Sequence, residues 1–74
     1  MNTADRERTL GETRVRLDFN PSHDARVDFI KERTAGLIDT CEAMKVCGKD
    51  ARLWSLAQTA YEEAAMWAVK AATS

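Results

Sequence analysis

The chain has 74 residues, 31% of them charged, and a net charge of −1 at pH 7. That bounds it to one small domain, and the near-neutral balance excludes a bulk nucleic-acid binder. No apolar run approaches the roughly 18–20 residues of a membrane span, and the polar, charged N-terminus does not read as a signal peptide.

A domain this small buries little surface, so a disulfide, a metal or self-association usually adds stability. Cys41 and Cys47 are the only cysteines, and on a helix they would face different sides. With a single histidine in the chain they make a poor metal site. Two reduced thiols in a reducing, cytosolic setting are expected, with self-association as the stabiliser.

Residues 1–13 are polar and read either as disordered or as ordered by a partner, with a frayed helical turn around Asp5 to Leu10. Residues 14–19 alternate, so an extended segment would put Val15, Leu17 and Phe19 on one face and turn Arg14 and Arg16 the other way. The chain has no second strand pattern, so residues 1–19 are read as an N-terminal arm laying these three apolar side chains on a helical surface.

Asn20-Pro21-Ser22 ends the arm. Asn suits an N-cap and Pro the first helical position, while Asp24 is a second candidate cap. The first long helix is predicted over about 21–46, starting anywhere from 21 to 25. Val27, Ile30, Thr34, Leu37, Cys41 and Met44 make its apolar stripe, widened by Ile38. Gly36 in mid-helix costs about 1 kcal/mol relative to Ala, which points to close helix packing or to room for a ligand.

Gly48 suits the residue after the helix and Asp50 the cap of the next, predicted over about 50–72. The loop is so short that the helices must be antiparallel neighbours, each about 35 Å long at 1.5 Å per residue. Residues 20–74 are therefore a helical hairpin, and the fold class is all-α. The second helix carries two apolar stripes. One runs through Leu53, Ala57, Ala60, Ala64, Trp67 and Ala71. The other runs through Trp54, Tyr61, Ala65, Ala68 and Ala72, with Gln58 its only polar position. Such a face is too wide for one partner helix, so the hairpin is expected to assemble with copies of itself into a compact helical oligomer.

No catalytic constellation is visible. Ser22, His23 and Asp24 are consecutive, so their side chains diverge; His23 reads as a solvent-exposed first-turn residue. Glu62 and Glu63 read as a solvated face. There is no glycine-rich phosphate loop, and neither helix is the basic recognition helix of a DNA-binding regulator. Arg14, Arg16, Lys31 and Arg33 gather near the arm–helix junction, where free helix N–H groups also favour anions. Seven acidic residues balance seven basic ones over 1–33, so the same cluster also reads as a solvated surface.

Asn20-Pro21, Val27-Asp28-Phe29-Ile30-Lys31 and Ala64-Ala65-Met66-Trp67-Ala68-Val69-Lys70 together resemble a known family over about residues 14–73. It is that of the small bacteriophage anti-CBASS proteins that act as cyclic-oligonucleotide sponges. Their helical hairpin domain is shared with one type of anti-Thoeris sponge. The resemblance implies a non-enzymatic protein in the cytoplasm of an infected bacterium. It would hold cyclic di- and trinucleotides such as 3′,3′-cGAMP without cleaving them, so that immune effectors stay inactive. It further implies a homo-oligomer, typically a hexamer, with ligand pockets where protomers meet. Neither cofactor, metal, polymeric nucleic acid nor membrane is implied.

By the same resemblance Lys31 contacts phosphate and Phe19 stacks on a base. Arg16, Asn20 and Pro21 belong to the same ligand site, with Arg33 and Thr34 as secondary contacts. Lys70 is either solvated or reaches a phosphate near a multi-chain junction. Ala64, Ala65, Met66, Trp67 and Ala68 are assigned to the oligomer interface, with Met66 or Trp67 alternatively lining a ligand pocket. Two other readings stay open: a sponge for cyclic ADP-ribose-type Thoeris signals, and a helical adaptor that docks its apolar face on a host protein.

Overall fold

A computed structural model describes residues 7–74 and places three helices among them: α1 (Leu10–Arg14), α2 (Ala25–Val46) and α3 (Ala51–Thr73). The all-α class holds, and no strand occurs among the described residues. Of the turn expected around Asp5 to Leu10, Asp5 and Arg6 lie outside the described residues; residues 7–9 are not helical, and the first helix begins only at Leu10, behind the extended Thr9 cap.

Residues 14–19 are not extended. Thr9-Leu10-Gly11-Glu12 forms a capping box: the Glu12 N–H donates to the Thr9 hydroxyl at 3.1 Å, and the Thr9 N–H donates to the Glu12 carboxylate at 3.0 Å. Two orphan donors are thereby satisfied, and a helix begins. Five residues of helix are marginal alone, and docking on α2 holds them. The Gly11 N–H donates to Asp39 Oδ1 at 2.7 Å. A Cβ at Gly11 would fall inside contact distance of the Ala35 carbonyl, so only glycine permits this approach. The chain then turns through Arg16, which has φ 55°. Val15 enters the core beside Ala35, Ile38 and Ala65, and Leu17 packs against that cluster. Phe19, the third apolar residue of the alternation, stays 52% exposed.

The helix α2 starts at the late end of its expected range. Asn20 and Pro21 belong to a turn before it. Asn20 Nδ2 donates to the Asp24 carbonyl at 2.9 Å and to Asp28 Oδ1 at 3.1 Å, and Ser22 Oγ donates to Asn20 Oδ1 at 2.8 Å. His23 is exposed and adopts φ 56°, so it precedes the first helical turn. Asp24, in extended conformation, is the N-cap and accepts from the Arg26 N–H at 2.8 Å. The buried stripe of α2 is Val27, Lys31, Ala35, Ile38 and Cys41. It is turned about one residue from the apolar stripe read in the sequence, since Leu37 and Met44 are exposed. The turn follows from Lys31, a charged residue that takes a core position because its ammonium finds acceptors there.

Gly48, at φ 106°, terminates α2 as expected of a residue in the left-handed region. Asp50 precedes α3 but makes no side-chain cap; its own backbone is left-handed (φ 61°), not extended as at Thr9 and Asp24. The helices α2 and α3 run antiparallel. At one end Arg26 donates to the Ala72 carbonyl at 2.9 Å. Midway, buried Gln58 donates to the Ile38 carbonyl at 3.0 Å and to Glu42 at 3.1 Å. Gln58, Tyr61, Ala65, Ala68 and Ala72 thus form the face of α3 turned into the chain, and Leu53, Ala60, Ala64, Trp67 and Ala71 lie outside it. A Cβ at Gly36 would meet nothing within 4 Å, so close packing inside the chain is not why glycine stands there. Both cysteines are free, Cys41 buried and Cys47 exposed. Among the described residues, no helix is long and apolar enough to cross a membrane.

Candidate ligand groove

The turn after α1 leaves a groove of about 640 Å³ between the arm and α3. That is within the range of small-molecule sites. The arm supplies Arg14, Val15, Arg16 and Phe19, and α2 supplies Lys31. The α3 wall presents Thr59, Glu62, Glu63, Ala65, Met66 and Val69.

Lys31 organises one end. It is 6% exposed, and its Nζ donates to the Arg16 carbonyl at 2.9 Å and to the Phe19 carbonyl. These two bonds fix the arm turn. Burial lowers the Lys31 pKa, the neighbouring Arg16 charge lowers it further, and Asp28 opposes both. The Arg16 guanidinium lies 4.2 Å from the Phe19 ring centroid, and the Lys31 ammonium lies 5.5 Å from it. Phe19 therefore has two cations within cation–π range of its ring.

Across the groove, Arg14 Nε donates to Glu62 Oε1 at 2.6 Å, and Arg14 Nη2 reaches Thr59 Oγ1 at 3.5 Å. Glu62 is thus paired, not simply solvated as the sequence suggested. Glu63 accepts from Trp67 Nε1 at 3.3 Å. The site offers cations for phosphate, a ring for stacking and an apolar floor of Val15, Ala65 and Val69. Among the described residues, no cluster of His, Cys, Asp and Glu is arranged to hold a metal.

Of the residues assigned from sequence, Arg16, Phe19 and Lys31 converge here, and Met66 lines the α3 side. Asn20 and Pro21 sit in the adjoining turn, where the amide of Asn20 is committed to the chain's own acceptors. Arg33 lies over Phe29, 4.7 Å from its ring, away from the groove. Thr34 donates to the Ile30 carbonyl at 2.7 Å. Lys70 sits 5.8 Å from the Trp67 ring on the outer side of α3. Of the residues given to an interface, Ala65 is buried in this chain's own core, Ala68 is half-buried, and Ala64, Met66 and Trp67 are exposed. Thr59, Glu62 and Val69 were not signalled by the sequence, because their place at the site depends on contacts across some 45 residues of chain.

An α-hairpin with a short helix docked against its middle, carrying a groove of cations and one aromatic, defines a small helical domain with a candidate ligand site. The model of the Acb2/Tad1 hairpin domain matches residues 11–73. The chain belongs to that family, and so to the sponge-type anti-defence proteins. The match takes in α1 from Gly11 onward, the residue on which the docking of that helix depends. No curated protein and no solved structure matches the chain.

Proposed function

We propose that this protein sequesters cyclic di- and trinucleotide messengers, 3′,3′-cGAMP among them, without cleaving them, and so keeps CBASS effectors inactive in the cytoplasm of the infected host. The observation that carries this reading is the convergence of Phe19, Arg16 and Lys31 on one groove in a chain of this family. Sequestration requires affinity and slow release. Charge-assisted hydrogen bonds to phosphate and base stacking of about 1–3 kcal/mol per base supply both. Lys31 gives two of its three N–H donors to the arm, which leaves one for a phosphate oxygen. Phe19 or the guanidinium lying on it receives a base. Met66, 57% exposed at the groove, and Trp67 beside it belong to a surface that further protomers close, in a hexamer.

Displacement of labelled 3′,3′-cGAMP by unlabelled cyclic dinucleotides, cyclic trinucleotides and cyclic ADP-ribose isomers tests the ligand class. Displacement by the cyclic oligonucleotides alone is expected. No binding of labelled 3′,3′-cGAMP, with binding of a labelled cyclic ADP-ribose isomer measured in its place, would assign the protein to Thoeris signals. Light scattering tests the assembly: six copies of 8.3 kDa give about 50 kDa. A monomer with an exposed apolar patch would favour an adaptor instead.

A further inference from the structure

A groove for an anionic ligand that carries carboxylates on one wall needs an explanation. Glu62 has one in its partner. Arg14 is the last residue of α1, and its Nε donates to Glu62 Oε1 across the groove at 2.6 Å. The Arg14 side chain is only 25% exposed, and its Nη2 reaches toward Thr59. An Nε contact holds a guanidinium by its side and leaves its Nη edge available to a second partner. That edge is the fork which matches two phosphate oxygens. Arg14 keeps three N–H donors without an acceptor among the described residues. The other groove cations differ: Lys31 is tied to two carbonyls, and exposed Arg16 lies on Phe19 with no carboxylate fixing it.

We infer that Arg14 is a phosphate-binding residue of the groove and that Glu62 is its positioning residue, holding the guanidinium so that its Nη edge faces the ligand. The inference rests on the proposed sequestration of cyclic nucleotides and adds a contact to it. Glu62 then acts as a holder that Arg14 already neutralises, and the carboxylate does not repel the dianion it helps to bind.

Calorimetric titration with 3′,3′-cGAMP at low and high salt, with melting temperatures measured alongside, tests it. Arg14→Gln is expected to weaken binding at least tenfold and to flatten the salt dependence. Glu62→Gln keeps an amide oxygen for Arg14 Nε and removes a negative charge, so it is expected to bind at least as tightly as wild type. Arg14→Lys keeps the charge facing Glu62, and with it the fold should Arg14→Gln unfold, but lacks the fork; it too is expected to bind less tightly. Wild-type affinity in Arg14→Gln or Arg14→Lys overturns the role of Arg14. Glu62→Ala, which removes the acceptor altogether, is expected to weaken binding several-fold; wild-type affinity in Glu62→Ala overturns the positioning role, because Arg14 would then be held without it. A wild-type protein that binds no cyclic nucleotide overturns the reading of the groove, a result distinct from any confined to the variants.

Discussion

Lys31 and Gly11 show how single residues set the site. The stem of Lys31 fills a core position of α2, and its ammonium holds the Arg16 and Phe19 carbonyls. Lys31→Met keeps the stem and leaves both carbonyls without that donor. We expect a loss of about 1 kcal/mol in chemical denaturation, the net worth of such hydrogen bonds where the carbonyls are only partly buried. We also expect faster amide exchange around Phe19. Unchanged exchange there would mean that the arm turn stands without the lysine. Gly11 sets the approach of α1. Its missing Cβ lets the helix backbone rest on Ala35 and bond Asp39. Gly11→Ala forces the two backbones apart, and overpacking of this kind costs about 1–3 kcal/mol. A melting temperature within a degree of wild type would contradict the close contact.

Among elements, the register of α2 against α3 is set by Gln58. Its amide bridges Ile38 and Glu42, and this hydrogen bond, followed by that from Lys45, holds the Glu42 carboxyl below its ordinary value of 4.5. A depressed carboxyl stabilises the fold above its unfolded pKa, and that contribution is lost as pH falls through the folded one. The stability gap between wild type and Gln58→Met should therefore be widest near neutral pH and shrink on acidification toward pH 3 in thermal melts. Asp24, also lowered, titrates alike in both proteins and cancels. A gap that stays constant with pH would show that Gln58 matters only for packing.

Much of this level was legible. The two stripes of α3, the glycine after α2 and the short antiparallel loop all follow from spacing and turn chemistry. Gln58 stood out as the polar break in one stripe. The α2 stripe was set one residue off because Lys31 counts as polar in any hydropathy pattern, and only the carbonyls of a distant turn make its position tolerable. The Thr9–Glu12 capping box was in the sequence, yet the alternation from Arg14 to Phe19 argued for extended chain. Tertiary contact at Gly11 decided between them. The Arg14–Glu62 pair spans 48 positions, and no local pattern reports such a pair.

As a whole the molecule is one layer of helices, 12 Å in its thinnest dimension, about the width of a single helix. The short α1 and the turn after it rest on part of the α2–α3 pair, and among the described residues no further element covers it. Phe29, Leu37, Leu53, Leu56, Met66 and Trp67 are all more than 40% exposed. That much apolar surface on so small a chain is the physical argument for assembly. The assembly proposed above would let a nearly neutral chain collect several cations around one ligand. Sequestration, as proposed, means that the messenger is held and returned unchanged. The most direct measurement is to saturate the purified protein with 3′,3′-cGAMP, remove free ligand, denature by heat and chromatograph what is released. The account predicts intact 3′,3′-cGAMP in near-stoichiometric amount. Linear or hydrolysed products, or no ligand retained at all, would contradict it.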